Sequence, residues 1–107
     1  MPAYLLLDID IHDKDKYEIY KRDVPPFVAK HGGEYLARGG EHEVIEGTWN
    51  PTRLVLFRFP DRQSIRNLFN DPDYQKLKAI RHESASSNLV AFDGLNQEAA
   101  WLMKSAK

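Results

Sequence analysis

The chain has 107 residues, no cysteine, and 15 basic against 16 acidic residues, which leaves a formal net charge of −1. This length suits a single domain, and the lack of cysteine excludes disulfides, thiolate zinc sites and a cysteine nucleophile. The balanced charge argues against a general nucleic-acid binder. No apolar run approaches the roughly 18 residues of a membrane span, and Asp8 interrupts the first one. We therefore expect a cytoplasmic protein without a signal peptide, a nucleic-acid partner or a membrane partner.

A strand is predicted first, over residues 3–11, because apolar residues alternate there. A helix follows, with Asp13 as its expected N-cap. The prolines at 25–26 remove two backbone donors, so we expect this helix to kink or break near Val24. Gly32 stands where many helices end in a left-handed residue. The first Gly-Gly pair is therefore interpreted as a helix stop.

Three further strands and one short extension are indicated by apolar patterns between turn residues: 33–39, 43–47 (the extension), 52–59 and 87–94. The stretch between the last two strands is predicted to be helical, with Asp61 as one N-cap and Asp71 as a second. Residues 95–107 form a predicted C-terminal helical tail, capped by Asn96 and too short to be stable alone.

The order βαββαβ over residues 1–94 predicts an α+β fold of the ferredoxin-like type, a four-stranded antiparallel sheet with helices on one face. The other face would then be open and apolar. The residues expected on it are Tyr4, Leu6, Leu36, Leu54 and Leu56, together with Leu89 or Val90. Because an exposed apolar patch of this extent is a liability on a monomer, we expect two sheets to pack face to face in a homodimer.

Four stretches match a known family in their order and spacing: GGEYLARGG, EVIEGTW, RLVLFRFP and NDPDYQKLKAIR. Together with the turn at Pro51 they resemble domain of unknown function 1330, over about residues 2–94. The resemblance implies a homodimer whose two sheets form a dimeric α+β barrel. It implies no particular reaction, because that superfamily includes cofactor-independent monooxygenases, haem-degrading enzymes, lactone isomerases and dehydratases. The chain departs from the family pattern at Arg58, where an acidic residue is more usual.

The polar and aromatic positions that the resemblance carries over are the candidate ligand-binding residues. They are Arg38, Trp49, Arg53, Tyr74 and Arg81, with Glu46 as a candidate for proton transfer. The planar fork of an arginine suits a carboxylate or a phosphate. Two alternatives stay open. Arg38 and Arg58 share a nominal sheet face with Asp8 and Asp10, so they could form ion pairs, and Trp49 could be a lid over the core.

Histidines and glycines add weaker signals. His31 and His82 join Glu46 as candidate general acids or bases, because the ordinary pKa of histidine lies near neutrality. The four histidines show neither an i, i+4 pair nor an HExxH motif, so no metal site is predicted. The second Gly-Gly pair, 39–40, precedes an acidic stretch without helical pattern, whereas a phosphate loop would need a helix there. We interpret that pair as a turn.

Two functional hypotheses follow, and the sequence leaves open whether the protein is an enzyme. The first is a small-molecule site in each protomer, between the sheet and the kinked first helix. It would bind or transform a small organic molecule by acid–base chemistry, without a cofactor. The second is a non-catalytic module that binds a metabolite or a protein. A pocket in which a titratable group faces an arginine would favour the enzyme, and a filled interior would favour the module.

Overall fold

The computed structural model describes residues 1–95, which contain four strands, four α-helices and one 3-10 turn. In chain order these are β1 (Ala3–Ile11), α1 (Lys14–Asp23), α2 (Pro25–Lys30), β2 (Glu34–Arg38), β3 (Leu54–Phe59), α3 (Arg62–Asn70), the 3-10 turn (Pro72–Tyr74), α4 (Gln75–Ser84) and β4 (Ala85–Asp93). None of these helices is long and apolar enough to cross a membrane. The predicted tail lies, beyond Leu95, outside the described residues.

The sheet is antiparallel throughout, with the strand order β2-β3-β1-β4. The helices cover the face to which β1 turns Leu5, Leu7 and Ile9, all of them buried. Phe59 of β3 is also buried there, with 1% of its surface exposed. This arrangement confirms the predicted ferredoxin-like plait, a four-stranded antiparallel sheet with helices on one face.

Local signals around the first two helices are confirmed. The side chain of Asp13 accepts a hydrogen bond from Lys16 N at 3.1 Å and so caps α1. The helical stretch breaks at Val24, and α2 begins at Pro25. Gly32 follows α2 with a φ of +80°, a conformation that glycine adopts without strain.

The edge strand β2 contains a β-bulge. Tyr35 pairs with Phe57, and two residues of β2 then oppose one of β3 before Ala37 resumes the pairing. Arg38 consequently pairs with Val55, whose side chain is buried beneath the helices. Strict alternation predicted the opposite face for Arg38. That prediction is wrong, because the extra residue reverses the side-chain direction in the strand beyond it.

Residues 39–53 form a loop without regular structure, so the predicted extension over 43–47 is wrong. Its backbone bonds to the sheet at the two ends, where Gly39 N donates to the carbonyl oxygen of Leu54 and Ile9 N donates to that of Arg53. Between these ends, the carboxylate of Asp8 accepts hydrogen bonds from Thr52 N at 2.9 Å and from Trp49 Nε1 at 3.1 Å. These side-chain contacts hold the loop against β1. The next strand therefore begins two residues later than predicted.

The sheet face away from the helices, called the open face below, is apolar. Its large apolar side chains are Tyr4, Leu6, Leu54, Leu56, Val90 and Phe92. Val90 and Phe92 are 55% and 46% exposed. Leu89 pairs with Leu7 on the helix side, so Val90 is the correct member of the predicted pair. Leu36, in the bulge, is also exposed.

Candidate functional site

Three arginines lie over tyrosine rings on the helix side of the sheet. The distances from guanidinium carbon to ring centroid are 4.6 Å for Arg38 over Tyr35, 5.9 Å for Arg53 over Tyr17 and 5.9 Å for Arg81 over Tyr20. None of the three guanidiniums forms an ion pair with a carboxylate of residues 1–95. A tyrosine ring attracts a cation but does not neutralise it. This arginine–tyrosine layer therefore carries uncompensated positive charge.

Arg81 is buried, with 3% of its surface exposed. Its Nη1 donates a hydrogen bond to Ser87 Oγ at 3.1 Å, which ties α4 to β4. Its Nε is also buried and donates to no atom of the described chain. Burying a charge and a hydrogen-bond donor without a partner is costly. The unused N–H and the charge together make this side chain a candidate anion-binding group.

Arg81 lines a cleft of about 450 Å³ between α3, α4 and β4, called the β4 cleft below. Its apolar walls include Ile65, Phe69 and Leu89, and its polar groups are Arg81, His82 and Ser87. The volume lies in the range of about 300–1,000 Å³ that is typical of small-molecule sites. The cleft thus combines room for an organic body with one buried positive charge.

His82 is the titratable neighbour of Arg81 in the β4 cleft. Burial lowers the pKa of His82 below its ordinary value, and the charges of Arg81 and Lys78 act in the same direction. The imidazole is consequently neutral at neutral pH, and a neutral imidazole can accept a proton. The cleft therefore places a base beside a cation.

Arg38 and Arg53 meet at a second and much smaller cavity beneath α1, called the α1 cavity below. Tyr17, Lys21 and Tyr35 also line it. Its volume is about 20 Å³, which is room for about one water molecule. The bulge in β2 is what turns Arg38 toward this cavity. The interior beneath α1 therefore has no space for an organic ligand in this conformation.

Tyr74 lines neither of these two spaces. Its hydroxyl lies 3.0 Å from that of Tyr20, and its ring packs between Phe27 and Phe69. Burial raises the pKa of Tyr20 well above its ordinary value, and Tyr74 adds to the effect, so the phenol of Tyr20 stays protonated. The hydroxyl pair therefore connects α1 with the 3-10 turn at the centre of the helix layer.

His31 lies at the end of α2, away from the arginines. Its Nε2 is 2.8 Å from Asp71 Oδ2, and Lys30 Nζ is 2.8 Å from the same oxygen. The hydrogen bond from Lys30 lowers the pKa of Asp71 far below its ordinary value, with further contributions from His31 and from Asp73 N. In this arrangement His31 fastens α2 to the 3-10 turn.

Glu46 and Trp49 belong to the exposed loop 39–53, so they lie apart from the β4 cleft and the α1 cavity. Trp49 covers part of the open face near Asp8 and is 58% exposed, so it is not a lid over the core. The alternative ion pair between Arg38 and Asp8 is also wrong, because the bulge places these side chains on opposite faces. The predicted residues that the structure does bring together are Arg81 with His82, Arg38 with Arg53, and Glu46 with Trp49 at a separate cleft of the loop.

The sequence does not single out Tyr17, Tyr20 or Ser87 as site residues. Tyr17 and Tyr20 are three residues apart on α1, and this spacing does predict a shared helix face. No local signal shows that Arg53 and Arg81, which are far away in the chain, lie over those rings. Within residues 1–95, no group of three or more His, Asp or Glu side chains is placed to hold a metal ion.

Several solved structures share the fold at low sequence identity. The RPA0582 protein of unknown function from Rhodopseudomonas palustris is 18% identical, covers 89% of this chain and 83% of its own, and gives a TM-score of 0.73. SnoaB from Streptomyces nogalater, a cofactor-independent oxygenase, is 11% identical over 90% of this chain and 95% of its own, with a TM-score of 0.65. A dimeric protein of unknown function and ferredoxin-like fold from Bacteroides fragilis is 12% identical over 87% and 96%, with a TM-score of 0.51.

At these identities the similarity establishes the fold. No curated protein matches the sequence at a significant level. The model of the family called domain of unknown function DUF1330 matches residues 2–95. This match confirms the resemblance that the sequence motifs indicate. The chain therefore belongs to the DUF1330 family, whose function is unknown, and its ferredoxin-like fold is similar to that of a cofactor-independent oxygenase.

Proposed function

We propose that this protein binds a small organic anion with an apolar body in the β4 cleft, and that Arg81 is the counter-charge. One observation carries the proposal: Arg81, a buried arginine whose Nε–H has no partner in the described chain, lines a cleft of small-molecule size. A carboxylate or phenolate at that point would accept the hydrogen bond and offset the charge. Phe69 and Leu89 would remove the apolar part of the ligand from water.

The same arrangement supports acid–base chemistry without a cofactor. The neutral imidazole of His82 takes a proton from an acidic O–H or C–H of the ligand, and the electron pair stays on the ligand. Arg81 then stabilises the negative charge that develops there. SnoaB, a protein of similar fold, is a cofactor-independent oxygenase, which supports small-molecule chemistry as a use for this architecture.

A non-catalytic metabolite-binding module is the second candidate. It is favoured by the exposure of His82, because water competes with a base at an open site. Deuterium exchange separates the two. The α-protons of 2-indanone, a neutral ketone with acidic C–H groups, are followed by NMR in D2O with the wild-type protein and with His82→Gln. Exchange above the buffer rate that disappears in H82Q indicates catalysis, and exchange at the buffer rate indicates a binding module.

The binding proposal is tested with 2-naphthoate and its neutral analogue 2-naphthalenemethanol, titrated calorimetrically into the full chain. Wild-type protein should bind the anion about ten- to a hundredfold more tightly, the ratio expected for one hydrogen bond to a charged group. Arg81→Met should remove this preference, whereas Arg81→Lys should keep part of it. Arg66→Met is the matched control, because Arg66 is exposed on α3 and its only hydrogen bond is to Gln63 within the described chain.

Circular dichroism of each variant shows whether it folds. If a folded R81M protein binds 2-naphthoate as tightly as wild type, the counter-charge is not Arg81 and the proposal fails. It fails equally if R66M loses the preference, since the effect would then reflect net charge alone. Equal binding of the anion and the alcohol by wild type would show that the cleft recognises shape only.

We also propose that the protein is a homodimer in which two open faces pack together. Val90 and Phe92 are about half exposed in the protomer, and the other large apolar side chains of this face are partly exposed. A patch of this kind usually marks an interface. A protein of similar fold from Bacteroides fragilis is dimeric. Sedimentation equilibrium of the full chain measures the mass directly, and a mass of one chain at all concentrations would contradict the proposal.

A further inference from the structure

The α1 cavity is distinct from the β4 cleft and differs from it in size and charge. Among residues 1–95, three cationic side chains line it, Lys21, Arg38 and Arg53, and no acidic side chain does. Glu18 approaches Lys21 Nζ to 3.7 Å, but it does so at the exposed surface of α1. Positive charge is therefore concentrated around a space for one small particle.

Each arginine is held in place by the fold. Arg38 Nη2 donates a hydrogen bond to the carbonyl oxygen of Lys21 at 2.5 Å, which orients the guanidinium toward α1. Arg53 passes directly over Gly39, where a Cβ atom would lie 2.5 Å from Arg53 Nε. Gly39 also has a φ of +71°. The second Gly-Gly pair thus leaves the space through which Arg53 reaches the cavity.

An unused donor provides a second, independent observation. The hydroxyl of Tyr35 is buried and has no hydrogen-bond partner in the described chain. Burial raises the pKa of Tyr35 and of Tyr17, and the neighbouring guanidiniums only partly oppose this effect. Both phenols therefore carry their protons at neutral pH and can donate. A buried hydroxyl without a partner is costly, so an acceptor is needed at this point.

We propose that the α1 cavity binds one compact inorganic anion of halide size, held by Arg38, Arg53 and the hydroxyl of Tyr35. The volume of about 20 Å³ admits about one water-sized particle, which excludes carboxylates with a carbon body and oxyanions such as sulfate. A water molecule would satisfy Tyr35 but would leave the charge of the arginines uncompensated. A halide satisfies both, because it accepts several hydrogen bonds and carries a negative charge.

The position of this anion gives it a structural effect. Arg38 is the last residue of β2 and Arg53 directly precedes β3. Tyr17 and Lys21 belong to α1. An anion between them would bind the first helix to the outer half of the sheet. Its binding to the folded state alone would raise the thermal stability with halide concentration.

Thermal unfolding of the full chain tests this proposal. Sodium chloride replaces sodium gluconate at a constant ionic strength of about 0.2 M, so that screening is unchanged. The wild-type Tm should rise by at least about 2 °C across the replacement. Arg53→Met should abolish the rise and Tyr35→Phe should reduce it. Arg66→Met, the exposed control, should keep it, and so should R81M, since the β4 cleft is a separate site.

Crystals grown with sodium bromide identify the position by anomalous scattering. A bromine peak between Arg38, Arg53 and Tyr35 is the expected result. A water molecule in the cavity, with bromine only at exposed arginines, overturns the proposal. So does a chloride-dependent Tm that is unchanged in R53M. If R53M fails to fold, the Y35F variant and the bromide map still show whether the α1 cavity binds a halide. Ligand binding at Arg81 is a separate proposal and is not tested by these experiments.

Discussion

On the helix side of the sheet, three guanidiniums lie over tyrosine rings, whereas on the open face the large side chains are apolar and at least partly exposed. Of the three arginines Arg38 is exposed, Arg53 is half-buried and Arg81 is buried. Charged side chains usually lie at the protein surface, so the burial of Arg81 is unusual. Covering one face with helices has here created a polar interior with unused hydrogen-bond donors. The two faces therefore differ in kind: the helix side contains buried donors without a partner in the described chain, and the open face exposes apolar side chains.

The largest expected effect comes from replacing a phenylalanine by alanine on each of the two faces. Phe59→Ala removes a ring that is 1% exposed on the helix side, and the free energy of unfolding should fall by about 3–5 kcal/mol. Phe92→Ala on the open face should cost less than about 1 kcal/mol of protomer stability, because this ring is 46% exposed. Urea unfolding followed by circular dichroism measures both, at protein concentrations below the dissociation constant of the dimer, so that association does not contribute. Equal losses would contradict the assignment of the two faces.

A charge on the open face should affect assembly more than folding. Val90→Lys places an ammonium group within the proposed interface, so the dissociation constant of the dimer should rise by at least about a hundredfold. The circular dichroism spectrum should remain that of the folded protein. Gln63→Lys, on the exposed surface of α3, is the matched control and should leave the dimer intact. Sedimentation velocity distinguishes the outcomes, and an intact V90K dimer would place the interface elsewhere.

On the helix side, removal of one hydroxyl should lower the free energy of unfolding, because its hydrogen-bond partner is left buried and unpaired. Tyr74→Phe leaves the buried hydroxyl of Tyr20 without its hydrogen bond of 3.0 Å, which should cost about 1–3 kcal/mol in the free energy of unfolding. Tyr4→Phe on the open face makes the same chemical change where the hydroxyl has no protein partner among residues 1–95, and it should be nearly neutral. Chemical denaturation of the pair provides the comparison. A neutral Y74F would show that water replaces the lost partner.

The smallest expected effect concerns the pH dependence of ligand binding. The folded-state pKa of His82 is lowered by burial and by Arg81 and Lys78, so it lies below about 6.5. As the pH falls from 7.5 to 5, protonation of His82 should tighten 2-naphthoate binding by about two- to fivefold, since an exposed charge contributes little. The same protonation should lower stability, because a histidine with a depressed pKa stabilises the fold only in its neutral form.

His82→Gln should make 2-naphthoate affinity independent of pH over this interval. Calorimetric titration at several pH values gives the comparison, with Lys78→Gln as the control for a neighbouring charge. A wild-type affinity that does not change with pH would show that His82 does not sense the bound anion.

Features set by near neighbours in the chain could be predicted from the sequence. Asp13 caps a helix because its own side chain reaches Lys16 N, and Val24 ends one because proline follows it. The family assignment likewise depended on motifs visible in the sequence. These signals involve residues a few positions apart, and long-range packing did not override them.

Features set by pairing across the sheet could not be predicted. The side of the sheet on which Arg38 lies depends on a single extra residue in β2, and alternation within the strand contains no sign of it. The loop 39–53 is held by Asp8, which lies more than 40 positions away from Trp49 and Thr52. For the same reason the sequence indicated arginines and aromatic residues as candidates but could not group them into two separate sites.

The bulge in β2 also determines the face of the sheet on which the charge of Arg38 lies. Beyond it, the odd-numbered and even-numbered positions of the strand have traded sides, so Arg38 lies on the helix side rather than on the open face. Regular pairing of Leu36 with Leu56 would place Arg38 opposite Leu54, on the surface that the second copy is proposed to cover. Deleting Leu36 would remove the extra residue and keep Arg38 opposite Val55, on the helix side. The bulge therefore decides whether this charge lies over Tyr35 or against a second copy of the chain, and it leaves the rest of the sheet as it is.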